Sequence, residues 1–220
     1  GIGQAFVRDL LARGASKVYA GSRDPANVSP QAGVHPLRLD VNKPEDVAAA
    51  VAQAPDVTLV INNAGIAQTG GFLAEDSEAV ARRMLETKFC GGLRMSRAVA
   101  RVLAANGGGG LLNVVSVASW LNGSDLAAYS ASKSAAWSLT NSLRYELAAQ
   151  KTQVLGLHMA FVDTDLTRGL EAPKSSPADI VSRTLDALEA GMDEVLADDL
   201  TQQVKSGLAA DRPSYLPPRA

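Results

Sequence analysis

Cysteine is all but absent from this chain. Cys90 is the single one in 220 residues, so no internal disulfide can form, and a reducing compartment, the cytoplasm, is the expected setting. Histidine is nearly as scarce. His35 and His158 stand far apart in the sequence, which argues against a metal site, and His158 falls in an apolar run that gives it a structural reading. No apolar stretch approaches the ~20 residues of a membrane span, and no signal peptide is visible. The formal net charge is −2 without a basic run, so neither nucleic acid nor a membrane is expected as a partner.

What is present suits one domain with a sizeable core, since 46% of the residues are hydrophobic and 20% charged. Apolar strands alternate with helical patterns. KVYAGS (17–22), VHPLRLD (34–40), VTLVINNAG (57–65), LLNVVS (111–116), TQVLGLHM (152–159) and DEVLAD (193–198) read as strands. Phe6, Val7, Leu10 and Leu11 have helical spacing and Gly14 suits a C-cap. Further helices are expected over 44–53, 76–105, 127–150, 177–190 and 200–209. Val47 and Val51 should face inward, and Gly91 and Gly92 suggest close packing or a kink in the long helix. DPANVSPQAG is short for a crossover helix and reads as a loop or a single turn, and Gly107–Gly110 as a turn. The alternation predicts an α/β fold of three layers, a mostly parallel sheet flanked by helices, over residues 1–210. The Pro-rich end, 211–220, reads as an exposed tail.

The chemistry concentrates between Ser116 and Lys133, SVASWLNGSDLAAYSASK. Tyr129 and Lys133 are four residues apart and share one face if a helix begins near Leu126. A Tyr hydroxyl titrates near 10, too high for proton exchange at neutral pH. A neighbouring ammonium favours the phenolate and lowers that value, which makes the pair an acid/base couple. Ser116 closes a buried strand, where its hydroxyl can point into a ligand crevice. A bare Tyr-x-x-x-Lys also occurs on many solvated helices; the serine at strand end is what sharpens the pattern.

This constellation resembles the short-chain dehydrogenase/reductase family, and the likeness runs along almost the whole chain. It implies a doubly wound, Rossmann-like domain and carbonyl–alcohol interconversion on a small molecule, with hydride from a nicotinamide cofactor. Tyr129 would then be the general acid, Ser116 would bond the same oxygen, and Lys133 would lower the Tyr129 pKa and hold the nicotinamide ribose. Gly1, Ile2 and Gly3 complete what resembles the family's glycine-rich phosphate turn at a helix start. That turn normally follows a central strand, and an upstream segment of roughly 10–15 residues, one strand and its turn, is therefore expected before Gly1. At the end of the second strand Ser22 holds the position where an acidic residue would select NAD. Arg23 follows and favours NADP over NAD, although Asp24 comes next. Asp40 and Val41 resemble the family's adenine-contacting pair, although Asp40 reads equally as a turn-forming acid. Asn63, Ala64 and Gly65 close the Asn-Asn-Ala-Gly signature, partly structural and partly lining the cofactor. Val162 and Thr164 occupy positions that contact the cofactor near its nicotinamide, and helix capping is the competing reading for Thr164.

Two departures stand out. Lys88 takes the place of an Asn that organises a water beside the catalytic Lys, so either like-charge repulsion lowers both lysine pKa values or Lys88 swings out to solvent. Met159-Ala160 replaces a Pro-Gly turn, which adds bulk near the nicotinamide. The region from Asp165 to Pro177, which usually covers the substrate, is short and low in aromatics, so an open site is expected and no substrate class is named. By resemblance the two long helices form a homodimer or homotetramer interface. Two other readings stay open: a dinucleotide-binding sensor or scaffold with little turnover, and an interaction protein that binds no nucleotide.

Overall fold

The computed structural model describes residues 1–216. In chain order, α1 (Ile2–Ala12) leads to β1 (Val18–Ser22) and β2 (Val34–Arg38), and α2 (Pro44–Gln53) to β3 (Leu59–Asn62). The long helical region follows as α3 (Ser77–Leu85), a π turn at Glu86–Cys90, and α4 (Gly91–Ala105). Then come β4 (Gly110–Val114), α5 (Ala127–Leu147), β5 (Gln153–His158), α6 (Pro177–Glu189), β6 (Glu194–Leu196) and α7 (Asp199–Ser206). The segment 23–33 makes only a single 3-10 turn at Pro25–Asn27, capped by the Asp24 carboxylate.

Every strand pairing is parallel, but the sheet comes in two pieces: β1 pairs with β2, and β3-β4-β5-β6 form the other in that order. The edges of β1 and β3 are not hydrogen-bonded to each other. A cleft of about 1360 Å³ separates them, lined by Val18 and Ala20 on one side and Leu59 and Ile61 on the other.

Helices cover both faces of the four-stranded piece. Leu112, Leu155 and Leu157 pack with Phe6 of α1 and with Ile180 and Leu185 of α6. Their sequence neighbours Leu111 and Val154 turn the opposite way, towards Val47, Val99, Leu103 and Leu143 of α2, α4 and α5. The period-two alternation of strand side chains thus produces three layers from fully apolar strands.

The helix expected over 76–105 is continuous in outline, and its π turn carries Lys88. Gly91 lies where an added Cβ would stand 2.8 Å from the Val41 side chain, so close packing explains that glycine; at Gly92 the same atom would find ordinary contact at 3.7 Å. The tail expected to be exposed is partly docked, because Pro213 is buried and its carbonyl accepts the Leu216 N–H at 3.0 Å. Residues 217–220 of that segment lie outside the described residues. Among the described residues no helix is long and apolar enough to cross a membrane.

Candidate active site

Ser116 follows β4 in extended backbone and N-caps a 3-10 turn at Val117–Ser119, its Oγ accepting the Ala118 N–H at 3.1 Å. The same hydroxyl donates to the Met159 carbonyl at 3.3 Å, which ties the end of β4 to the end of β5. Tyr129 sits in the first turn of α5, with its hydroxyl near enough to Ser116 for that residue to act on its pKa. Lys133, one turn on, is only 2% exposed. Its amine donates to the carbonyls of Val114 and Val115 at 2.9 and 3.0 Å, so the helix is pinned to the end of β4. Its Nζ stands 5.7 Å from the centre of the Tyr129 ring. The three residues singled out in the sequence are brought together.

The electrostatics differ from expectation. Burial pushes the Tyr129 pKa up, and the Ser116 hydrogen bond opposes this only in part. Lys133 is itself shifted, since burial and then Lys88 push its pKa well below its usual value. Lys88 does not swing out. Its Nζ lies 6.0 Å from the Tyr129 ring centre and against Gly65, where an added Cβ would stand 1.5 Å from it. Burial brings Lys88 down to about 8, while Lys133 acts the other way, so repulsion is not what depresses it.

Gly1, Ile2 and Gly3, Ser22, Val41, Asn63, Ala64 and Gly65 line the cleft between β1 and β3 together with Tyr129, Lys133 and Thr164. Gly1 caps α1 without a side-chain hydrogen bond, and Gly3 lets Asn63 approach, since a Cβ there would sit 3.0 Å from its Nδ2. Asn62 holds the strands, donating to Asn113 Oδ1 at 2.8 Å. Thr164 lines the cleft and is also the N-cap residue of the 3-10 turn Asp165–Thr167.

Three residues fall elsewhere. Val162 is 3% exposed inside the core beside Ile180, because its β-branched side chain completes that layer instead of facing the cleft. The Asp40 carboxylate accepts the Asn42 N–H at 3.0 Å and is a turn-forming acid. Arg23 is exposed on the loop after β1, outside the cleft wall.

Sequence reading missed two supports of the site. Asp198, the N-cap of α7, reaches the Ala160 N–H at 2.7 Å and so fixes the turn that Pro-Gly would have fixed. Beneath Ser116, His158 Nδ1 lies 3.2 Å from the Ser116 carbonyl, and its ring stacks on Trp120 at 3.9 Å. His158 Nε2 is 3.3 Å from Glu194 Oε1 without hydrogen-bond alignment, and Lys205 bonds Glu194 at 3.0 Å. Burial outweighs Glu194 and holds the His158 pKa below its usual value. Only the apolar setting of His158 was visible in the sequence; its contacts come from Ser116 and Trp120 after β4 and from Glu194 on β6.

A family model described as short chain dehydrogenase matches residues 1–175. The cis-4-hydroxycyclohexanecarboxylate dehydrogenase of Sinomonas cyclohexanicum is 32% identical over 182 residues, covering 78% of this chain and 73% of its own length. The D-erythrulose reductase of Gallus gallus is 35% identical over 173 residues, with 76% and 70% covered. A crystal structure of a short chain dehydrogenase from Burkholderia cenocepacia J2315, in complex with NADP, superposes with a TM-score of 0.91 at 39% identity, covering 96% of this chain and 89% of that one. Sequence, fold and the Ser116–Tyr129–Lys133 arrangement agree, and the chain belongs to the short-chain dehydrogenase family.

Proposed function

We propose that this protein is an NADP-dependent oxidoreductase that interconverts a carbonyl and an alcohol on a small molecule. The observation that carries the reading is the convergence of Ser116, Tyr129 and Lys133 beside one cleft that the glycine-bearing end of α1 also lines. The end of the cleft beyond the strands, where Gly1, Gly3, Asn63, Gly65 and Tyr129 lie, fits a dinucleotide. Uncapped amides open α1, and small residues at Ala64 and Gly65 leave backbone bare on the facing wall. Asn63, Thr164 and Lys133 would hold the cofactor, and Arg23 would meet a 2′-phosphate at the mouth. Bound there, the cofactor supplies the hydride.

The chain's own residues supply the proton and its placement. A carbonyl oxygen seated between the Ser116 and Tyr129 hydroxyls receives two hydrogen bonds as its negative charge develops. Tyr129 is protonated at neutral pH and is the general acid in the reducing direction, although burial, by raising its pKa, makes it a weaker acid than an exposed tyrosine. Ser116 has a single proton, so bonding the substrate oxygen means turning it away from the Met159 carbonyl, while the Ala118 N–H keeps the Oγ in place.

NADPH fluorescence titration followed by a carbonyl panel tests this reading. NADPH oxidation that is lost in Tyr129→Phe is the expected result; binding without oxidation of any carbonyl would contradict it. A second reading, a dinucleotide-binding sensor or scaffold, is favoured by the depressed Lys133 pKa and the Met159-Ala160 replacement. The same panel separates the two.

The unpaired edges of β1 and β3 support one more parallel strand in the cleft between them, supplied from upstream of Gly1 and completing a single domain to residue 210. Intact mass of the expressed protein checks it; a mass equal to residues 1–220 would sink the idea. The exposed Tyr145 on α5 supports a homodimer or homotetramer through α4 and α5, and the single unpaired cysteine supports a cytoplasmic setting.

A further inference from the structure

His158 takes no part in the proton transfer described above, yet it is completely buried and in contact with the Ser116 backbone. Its place follows from the strand. Leu155 and Leu157 point towards α6, so Val154, Gly156 and His158 point the opposite way, towards α5. A Cβ added at Gly156 would stand 3.5 Å from Thr140 of α5 and 3.7 Å from His158 Nε2, so the ring lies against that helix. Trp120 stacks on the imidazole with ring centres 3.9 Å apart, and Trp137 meets Trp120 edge-on at 5.8 Å. The Lys205 amine stands 4.5 Å from the Trp120 ring centre and donates to both carboxylate oxygens of Glu194, at 3.2 and 3.0 Å.

This geometry fixes which nitrogen carries the proton. A carbonyl oxygen only accepts, so the 3.2 Å contact between His158 Nδ1 and the Ser116 carbonyl is a hydrogen bond only with the proton on Nδ1. Nε2 faces Glu194 Oε1 at 3.3 Å without hydrogen-bond alignment and finds no partner that would favour the other tautomer. Burial lowers the His158 pKa, so at neutral pH the ring is uncharged and has that single N–H.

The bond matters because of what Ser116 gives up. Two of its atoms are tied to the end of β5: Oγ to the Met159 carbonyl at 3.3 Å, and the carbonyl oxygen to His158. When Oγ turns its proton to a substrate oxygen the first tie is lost, and His158 is the one that remains. The Ser119 N–H also reaches the Ser116 carbonyl, at 3.0 Å, but from within the same turn. The amides of Val115 and Val117 stay bonded to Leu157 and Met159 at 2.9 Å, so the strand persists and only the Ser116 peptide between them is left to tilt.

We propose that His158 is a positioning residue for Ser116: its Nδ1–H holds the Ser116 carbonyl, and so keeps the Ser116 hydroxyl aimed at the substrate oxygen once it has left Met159. Trp120 holds the face of the ring, and the Glu194–Lys205 pair flanks its far edge. The proposal rests on the oxidoreductase reading for its kinetic consequence. His158 does not line the cleft and acts only through Ser116.

Two readouts test it. The first is carbonyl reduction by His158→Leu and His158→Asn, each alone, and by His158→Leu combined with Ser116→Ala. Leucine cannot donate, and His158→Leu should lower kcat by about 10- to 100-fold while the Kd for NADPH stays within about twofold of the wild type. His158→Asn, whose amide N–H falls near the place of Nδ1, should recover most of that loss. Because His158 acts through Ser116, adding His158→Leu to Ser116→Ala should cost no further activity. An unchanged kcat in His158→Leu, equal losses in the two single variants, or losses that multiply in the double variant would overturn the proposal. The second readout needs neither turnover nor a variant: nitrogen–proton correlation NMR of the imidazole in the apo-protein. A proton on Nδ1 is expected, and a proton on Nε2 alone would overturn the proposal. Absence of turnover in the wild type would sink the oxidoreductase reading, while the NMR still decides whether His158 holds Ser116.

Discussion

The two halves of the sheet are built differently. In β4 and β5 the side chains of Leu111, Leu112, Leu155 and Leu157 are completely buried, and each strand is paired on both sides. In β1 every residue keeps some exposure, and in β2 only Leu37 is buried. Ser116, Tyr129 and Lys133 stand on the first half, whereas Ser22 and Arg23 stand on the second. Proton transfer requires donors fixed within a few tenths of an ångström, and a doubly covered, doubly paired strand fixes them. Recognition of a ribose or phosphate at the far end tolerates a looser wall. The catalytic half is thus the rigid one.

Removing one oxygen should separate chemistry from stability most sharply. Tyr129→Phe is expected to cost about 10²–10⁴ in carbonyl reduction, with the denaturation midpoint nearly unchanged. Next comes the packing contrast itself. Leu112→Ala should destabilise by about 2–5 kcal/mol in urea unfolding, and Leu37→Ala by an amount at or below the lower end of that range. Equal losses would erase the distinction between the halves. Asp198→Ala leaves the Ala160 N–H without its acceptor and uncaps α7, for about 1–2 kcal/mol. Its effect on the KM for NADPH should exceed that of an equally destabilising change at Leu37, because Ala160 follows Met159, a residue of the cleft wall. Arg23→Ala should change stability by no more than about 0.5 kcal/mol and narrow the preference for NADPH over NADH, read as a ratio of two Kd values.

The same contrast explains what the sequence reveals and what it hides. The buried strands announce themselves, since LLNVV and VLGLH have little alternation to misread, and α2 is bounded by Pro44 and by the loss of periodicity after Gln53. Ser116, Tyr129 and Lys133 are legible because strand end, helix start and the four-residue spacing are all local. Lys88 is legible as a departure but not as a partner. Whether a lysine on a helix turns in or out depends on the π turn around it, which no local periodicity announces, and on the bare Gly65 opposite, which lies far upstream in the chain. Asp198 and Glu194 lie far downstream of the residues they support, so only the parallel pairing of β5 with β6 brings them to the site. Val162 misleads for a related reason: its position in the chain is next to the cofactor segment, but its apolar side chain is drawn into the layer under α6.

The most direct test of the central claim is single-turnover oxidation of NADPH by the wild type and by Tyr129→Phe, with binding of NADPH measured on the same samples. The account predicts similar NADPH affinity in both and carbonyl-dependent oxidation only in the wild type. Equal rates in the two proteins, or no oxidation in either despite tight binding, would contradict it.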